Sequence, residues 1–262
     1  MDSYESIRWL PILEGAAAEV RRNVRRIIRG GREISLNELK MLLDSEAEAS
    51  IESYLRHVGA NAYVISEEGE TTIGCGGDFV IVDPVDGTTN LAKGIPFSVT
   101  SLASSTSKSF LDETASIVMD LRTGRTYAAE RSRGARSGGS RLKPSRDKPL
   151  NEIFLSVDVS KTAILESVCR VIAKARYLRQ FGCSALSLCL VASGVVDAHI
   201  DVRGILRATD IAAGLMILKE AGGAYSVDGI VNGDFELSRN SKLRLVAASN
   251  LNLLEKLLEM LR

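Results

Sequence analysis

The sequence has little of what several common kinds of functional site require. It contains four cysteines, none of them in a C-x-x-C pair, and two histidines, His57 and His199, so a zinc site is not expected. Lysine plus arginine and aspartate plus glutamate each total 33, which leaves none of the basic excess of a nucleic-acid-binding protein. Aromatic residues make up 5% of the chain, a small supply for a surface on which a nucleobase stacks.

Membrane segments and targeting signals are also missing. No apolar run approaches the roughly 20 residues that a membrane-spanning helix needs. Residues 1–10 include acids and no continuous apolar stretch, which predicts that no signal peptide is present. We therefore expect a cytoplasmic protein that has neither a membrane partner nor a nucleic-acid partner.

The composition is that of a globular protein, with 45% apolar and 25% charged residues in a chain of 262. Apolar spacing and capping residues predict helices at 10–29, 36–58, 162–175, 184–192 and 209–221 and a last one capped by Asn250. Alternating or short apolar runs predict strands at 62–65, 79–82, 96–103, 115–120, 126–130, 153–157, 195–200 and 243–247. The Gly- and Arg-rich stretch 131–148 predicts an exposed hairpin or a domain boundary. Mixed elements in both halves predict an α+β fold with two subdomains, 1–145 and 146–262.

The most informative segment is Asp83-Pro84-Val85-Asp86-Gly87-Thr88-Thr89-Asn90, which follows the apolar run 79–82. Two carboxylates three residues apart at a strand end can converge on one hard cation, and the proline stiffens the turn between them. The glycine lets the backbone approach a ligand closely. If a helix begins there, the following N–H groups can bind phosphate oxygens.

Two further acidic segments accompany this one. Ser66-Glu67-Glu68-Gly69-Glu70 ends the preceding predicted strand, and adjacent carboxylates repel each other unless a cation neutralises them. Asp210 opens a helix of small residues. Taken alone, the first segment is equally an exposed acidic turn, and Asp210 is a first-turn acid that favours the helix dipole. Together with Asp83 and Asp86 they predict a site for a hard cation such as Mg²⁺.

At these residues the sequence resembles the inositol monophosphatase family, which also contains archaeal fructose-1,6-bisphosphatases. The matching strings are residues 66–70, 83–90 and 209–223, which occur in the family's order, and the resemblance extends over 5–262. It implies the layered α-β-α-β-α sandwich of the sugar phosphatases and a homodimer. It also implies two or three Mg²⁺ per active site, with Mn²⁺ as a substitute and Li⁺ and Ca²⁺ as inhibitors.

Carried over to this sequence, the resemblance implies a set of metal ligands. Glu67, Asp83 and the backbone carbonyl of Val85 would hold a first ion. Asp83, Asp86 and Asp210 would hold a second, and Glu67 with ordered waters would hold a third.

The resemblance also implies catalytic and phosphate-binding groups. Asp44, together with Thr88, would activate the attacking water, and Glu67 would assist through its metal. Read from its surroundings alone, Asp44 is an ordinary solvated helix acid. Gly87 and Thr88 would bind the phosphate group, next to Asp86.

The rest of the implied site contacts the organic part of the substrate. Gly182 and Ser184, in the string Gly182-Cys183-Ser184-Ala185, would lie beside the sugar ring. Asp201 would accept a hydrogen bond from a substrate hydroxyl, although a structural role is an alternative. Arg203 and Arg207 would clamp a second phosphate if the substrate has one, or they are surface arginines.

Three departures from the family pattern qualify the resemblance, and the arginines at 203 and 207 are one of them. Thr209 stands where the family often has a tryptophan before the last metal acid, and residues 29–43 lack the usual K-x-D-x-V-T loop. The missing loop puts the third ion and loop closure in question. The predicted function is Mg²⁺-dependent hydrolysis of inositol-1-phosphate, fructose-1,6-bisphosphate or both. The alternatives are a phosphatase for NADP or adenosine 3′,5′-bisphosphate and a non-catalytic regulator that binds Mg²⁺ and phosphate.

Overall fold

The computed structural model describes residues 8–31, 34–160 and 165–262. In this part of the chain the helices are α1 (Trp9–Arg29), α2 (Leu36–His57), α3 (Thr88–Lys93), α4 (Leu165–Lys174), α5 (Ser184–Ala192), α6 (Ala208–Ala221) and α7 (Leu251–Leu261). The first sheet contains β1 (Ala62–Ser66), β2 (Glu70–Ile73), β3 (Asp78–Asp86), β4 (Val99–Ser105), β5 (Glu113–Asp120), β6 (Thr126–Glu130), β7 (Gly134–Ser137) and β8 (Ser140–Arg141). The second contains β9 (Phe154–Val157), β10 (Tyr177–Arg179), β11 (Ala198–Leu206), β12 (Ala224–Val227), β13 (Ile230–Val231) and β14 (Leu243–Ala248).

Both sheets are mixed. The first has the strand order β2-β1-β3-β4-β5-β6-β7-β8 and is antiparallel except for the pair β1–β3. The second has the order β10-β9-β11-β14-β12-β13, with β9 parallel to both of its neighbours. Because β1 and β3 run in the same direction, the acids that follow or end them lie at one edge of the first sheet.

Three apolar clusters explain the layers. Leu13, Val20 and the other buried residues of α1 and α2 pack on one face of the first sheet. Side chains of α5 and α6, such as Leu188 and Ile211, fill the space between the two sheets. Leu254 and Leu257 of α7 and Val168 of α4 cover the outer face of the second sheet. The order is α-β-α-β-α, as expected from the resemblance.

Helix ends follow the capping residues in the sequence. Ser35 accepts a hydrogen bond from the Glu38 N–H, and Glu38 accepts one from the Ser35 N–H, which forms the capping box of α2. Asn250 caps α7 through the N–H of Leu253, as predicted. Among the described helices, none is long and apolar enough to cross a membrane.

Several predicted boundaries were wrong. The strand predicted at 195–200 begins at Ala198 and continues to Leu206, because β14 pairs with it across a register shift. The strand predicted at 96–103 begins at Val99. Residues 131–148 do form a hairpin, but its strands β7 and β8 extend the first sheet. The start of the helix predicted at 162–175 falls outside the described residues. The division into subdomains at residue 145 stays a prediction.

Candidate metal and phosphate site

A cavity of about 520 Å³ lies where β3 ends and where α3, α5 and α6 begin. The predicted site residues that line it are Glu67, Asp83, Val85, Asp86, Gly87, Thr88, Gly182, Ser184, Arg203, Arg207 and Asp210. They come from both halves of the chain, so the site depends on how the two sheets pack together. Asp44 and Asp201 lie outside the lining and reach it through other residues.

The acids predicted to hold metal meet in this cavity. Glu67, Asp83 and Asp210 each offer a carboxylate oxygen, and these oxygens all lie within 4.8 Å of one another. Asp83 is buried in β3, and the pairing of β3 with β4 shifts register between Asp83 and Asp86. Such a shift re-aims side chains next to it, and Pro84 has no N–H for the ladder. This local irregularity brings both carboxylates to the cavity wall.

Burial and mutual repulsion disfavour negative charge on these carboxylates. Burial, followed by the charges of Asp86 and Asp210, raises the pKa of Asp83 well above its usual value. Burial and Asp210 raise the pKa of Asp86 to about 8, and burial raises that of Asp210 to about 6. A divalent cation at their centre would reverse this balance, because opposite charge favours the ionised form. The donor set therefore fits a hard cation.

Gly87 joins β3 to α3 in a conformation that other residues rarely adopt. Its φ is +85°, and a Cβ there would lie 2.5 Å from the carbonyl oxygen of Phe97. Only glycine is free of both the strain and the clash. The turn places Thr88 at the first position of α3, beside the acids.

Thr88 connects the cavity to Asp44. The Thr88 Oγ1 atom lies 2.8 Å from Asp44 Oδ1 and 2.9 Å from the carbonyl oxygen of Val85. A hydroxyl has one proton, so it donates to only one of these acceptors at a time. Burial raises the pKa of Asp44 to about 6, against the effect of the hydrogen bond from Thr88. Asp44, on α2, is therefore ionised at neutral pH and next to a hydroxyl in the cavity.

A hydrogen bond accepted by Asp86 and one donated by Asn90 fix the second half of the chain to this edge. The N–H of Ala185, in the first turn of α5, donates to Asp86 Oδ2 at 2.7 Å. The Asn90 side chain donates to the carbonyl oxygens of Phe97 at 2.9 Å and Phe181 at 2.7 Å. These contacts hold the segment that contains Gly182 and Ser184 against the cavity.

Arg207 and Arg239 hold the Glu67 segment. Arg207 Nη1 lies 2.6 Å from Glu67 Oε2, and Arg239 donates to the Glu67 backbone carbonyl at 2.8 Å. The backbone N–H of Arg207 donates to Asp210 Oδ2 at 2.9 Å. In this arrangement the Arg207 guanidinium pairs with an acid of the cluster, and its role as a clamp on a second phosphate stays a prediction.

Asp201 and Arg203 form an ion pair beside the cavity. Arg203 donates from Nε to Asp201 Oδ1 at 2.8 Å and from Nη2 to Asp201 Oδ2 at 2.5 Å. Asp201 is fully buried, whereas Arg203 lines the cavity. Both Asp201 oxygens are thus used by Arg203, and a hydrogen bond from a substrate to Asp201 stays a prediction.

Sequence reasoning missed Asp158, which lines the same cavity and is buried. It follows β9, just as Glu67 follows β1 and as Asp83 stands near the end of β3. An acid directly after an apolar strand was therefore the available signal.

Comparisons with known proteins agree with this geometry. The sequence profile described as the inositol monophosphatase family matches residues 12–261. The chain is 34% identical to the fructose-1,6-bisphosphatase/inositol-1-monophosphatase of Methanothermobacter thermautotrophicus, over 84% of this chain and 82% of that protein. It is 32% identical to a bifunctional NADP phosphatase/NAD kinase of Methanococcus maripaludis, over 90% of this chain and 46% of that protein.

A solved structure shows the same architecture. It is a hypothetical protein from Pyrococcus horikoshii with similarities to inositol-1 monophosphatase, and it superposes with a TM-score of 0.80 at 30% identity. The superposition covers 96% of this chain and 97% of that one. The similarity therefore extends over both sheets and the cavity between them.

Proposed function

Because the chain belongs to the inositol monophosphatase family, and is therefore a phosphoric monoester hydrolase, we propose that it hydrolyses phosphate esters of small sugars or cyclitols with the help of Mg²⁺. The observation that carries this proposal is the convergence of Glu67, Asp83 and Asp210 within 4.8 Å, in a cavity that also contains Thr88. Inositol-1-phosphate and fructose-1,6-bisphosphate are the first candidates, since the names of archaeal relatives include both activities.

The chemistry of the donors supports Mg²⁺. Carboxylate and carbonyl oxygens select hard cations. The neighbouring side chains carry too little positive charge to neutralise the buried acids. Glu67, Asp83 and the Val85 carbonyl would hold one ion, and Asp83, Asp86 and Asp210 a second. A third ion near Glu67 would compete with the Arg207 guanidinium for the Glu67 carboxylate. When bound, the ions supply Lewis acidity that polarises the phosphoryl group and stabilises the leaving oxygen.

Asp44 and Thr88 account for activation of the attacking water. If the Val85 carbonyl is a metal ligand, the Thr88 proton is directed to Asp44, and the Thr88 oxygen is free to accept a proton from water. Asp44 is ionised above a pKa of about 6, so the pair can take up that proton near neutral pH. Gly87 and Thr88 would hold the phosphate, and Gly182 and Ser184 would lie beside the organic group.

The alternatives find less support in the cavity. In the described residues, no aromatic side chain lines the cavity, so a stacked nucleobase has no partner and NADP or adenosine 3′,5′-bisphosphate is disfavoured. A regulator that only binds phosphate has no need of the Asp44–Thr88 hydrogen bond. Homodimer formation, a cytoplasmic location, replacement by Mn²⁺ and inhibition by Li⁺ or Ca²⁺ stay predictions.

The test is a substrate panel with purified protein. Phosphate release from inositol-1-phosphate, fructose-1,6-bisphosphate, NADP and p-nitrophenyl phosphate is measured with Mg²⁺ and with EDTA. We expect release only with Mg²⁺ and expect the sugar and cyclitol esters to be preferred. Full activity in EDTA would contradict the metal mechanism, and binding without turnover of any ester would favour the regulator.

A further inference from the structure

One wall of the cavity carries an acid that the proposed mechanism does not use. Asp158 is 3% exposed and lines the cavity. Within the described parts of the chain, no group donates a hydrogen bond to its carboxylate, and burial raises its pKa. Because this carboxylate lines the cavity, it can accept hydrogen bonds from a ligand that binds there.

The charges around Asp158 leave this wall negative. Its ionisable neighbours are His199, Arg203, Asp201 and Asp86. Burial lowers the pKa of His199, so the imidazole is neutral at pH 7, and its Nδ1 atom lies 3.0 Å from Ser156 Oγ. Including Asp158 itself, this part of the molecule thus contains three acids and one cation.

The cation, Arg203, is already paired with Asp201. Arg203 binds Asp201 through Nε and Nη2 and donates from Nη1 to the carbonyl oxygen of Ser160 at 3.1 Å. A guanidinium has five N–H donors, so some remain for a neutral acceptor, but its charge is offset by Asp201. Asp201 thereby acts as a positioning residue that keeps Arg203 beside the cavity, and because Arg203 is shared with Asp201, it compensates only part of the charge of Asp158.

We propose that Asp158 determines specificity by accepting hydrogen bonds from hydroxyl groups of the substrate, so that the enzyme prefers polyol monophosphates to bisphosphates. The inference rests on the proposed phosphatase activity and narrows its substrate class. A hydroxyl donates to Asp158 and can accept from Arg203, which suits neighbouring hydroxyls of a cyclitol or sugar.

A second phosphate group at this wall would be repelled, whereas hydroxyl groups would be bound. It offers only acceptors and negative charge, and Asp158 offers the same, so like charges are brought together. Arg203 and Arg207 give little compensation, since they pair with Asp201 and Glu67. Fructose-1,6-bisphosphate is therefore the poorer of the two candidate substrates.

The test compares Asp158→Ala and Asp158→Asn with the wild type on inositol-1-phosphate, fructose-1,6-bisphosphate and p-nitrophenyl phosphate. For Asp158→Ala we expect the KM for inositol-1-phosphate to rise about tenfold relative to that for the aryl ester, with a smaller change in kcat. For Asp158→Asn, which removes the charge but keeps the size, we expect the ratio of kcat/KM for the bisphosphate over the monophosphate to rise about tenfold. Asp147→Asn is the matched control, because Asp147 is a surface acid bound to Asn252 and Lys256.

If a variant fails to fold, the wild type is tested with two substrates that differ in their hydroxyl groups. Glycerol-2-phosphate carries two hydroxyls that isopropyl phosphate lacks, and we expect its KM to be about tenfold lower. Equal KM values for this pair, or unchanged substrate ratios in folded Asp158 variants that still hydrolyse the aryl ester, would overturn this inference alone. Absence of hydrolysis of every ester by the wild type would overturn the proposed function as well.

Discussion

Asp83 and Asp197 are both buried aspartates, at 4% and 2% exposure, yet their surroundings differ. The Asp197 carboxylate accepts from the Ser145 hydroxyl, from Lys148 Nζ at 2.8 Å and from the Phe154 N–H at 2.7 Å. In the described structure, Asp83 has no such donor, and other acids surround it. Burial alone does not distinguish a structural carboxylate from a functional one, whereas the identity of the neighbours does.

The comparison predicts opposite responses to the same chemical change. Replacing an aspartate by asparagine removes a charge that the protein stabilises at Asp197 and a charge that it destabilises at Asp83. Activity, stability and metal response should therefore separate the two positions.

The largest effect is expected for Asp83→Asn. Loss of a carboxylate shared by two ion positions should lower kcat/KM about 10³-fold. Without Mg²⁺ the variant should unfold at a higher temperature than the wild type, because the repulsion among the acids is reduced. Mg²⁺ should raise the wild-type Tm more than that of the variant. Equal Mg²⁺-induced shifts would place the ion elsewhere.

Thr88→Val should come next. Valine has the shape of threonine but no hydroxyl, so the link from the cavity to Asp44 is lost, and kcat should fall about 10²-fold with a smaller change in KM. Steady-state kinetics across pH 5 to 8 provide the measurement. Thr88→Ser retains the hydroxyl and should keep most of the activity; if both variants behave alike, the hydroxyl has no part in catalysis.

Asp197→Asn should act on stability. The variant leaves Lys148 without its partner, and since Lys148 remains 39% exposed, the cost should be about 2 kcal/mol, below that of a fully buried pair. Urea unfolding would measure it, with Asp147→Asn as an exposed control. A normal free energy of unfolding combined with a large loss of kcat/KM would reverse the distinction drawn between Asp197 and Asp83.

The smallest effect concerns Glu113, a third buried acid. Neither of its carboxylate oxygens has a hydrogen-bond partner among the described residues, and burial raises its pKa well above the usual value, with Lys219 and Arg131 opposing. The folded state then holds the proton more tightly than the unfolded state, so its contribution to stability is lost as the pH rises above about 4.3. Glu113→Gln should raise the free energy of unfolding by about 1 kcal/mol at pH 7. The gain is limited because burying an unpaired amide also costs free energy.

The gain from Glu113→Gln should shrink towards pH 4.5, where the wild-type carboxyl is protonated in the folded state and about half protonated in the unfolded state. Thermal unfolding of both proteins between pH 4.5 and pH 8 measures the difference. A gain that is independent of pH would show that packing, not charge, is responsible.

The sequence predicted the parts of the site that depend on local chemistry. The string 83–90 indicated acids at a strand end and a glycine at the turn, and both are found there; the helix that the string only allowed begins at Thr88. The strands that were missed, such as β2 and β10, are short and lie at sheet edges with mostly exposed or partly exposed residues. Their apolar pattern is weak because most of their side chains are not buried against another layer.

Pairings between distant segments could not be predicted from the sequence. Arg207 on Glu67 and Ala185 on Asp86 depend on the packing of the two sheets. The Asp201–Arg203 pair was within reach, because residues two apart in a strand point to the same face. Recognising it would have assigned Arg203 to Asp201 before any substrate was considered.

The position of Asp210 on α6 has a consequence for synthesis of the protein. Glu67 and Asp83 precede the first sheet's last strands, whereas α6 follows all of that sheet. During translation, Glu67 and Asp83 therefore emerge from the ribosome long before Asp210. Nascent chains and truncated products that stop before α6 lack the complete cluster, so affinity for the ion should arise only late in translation.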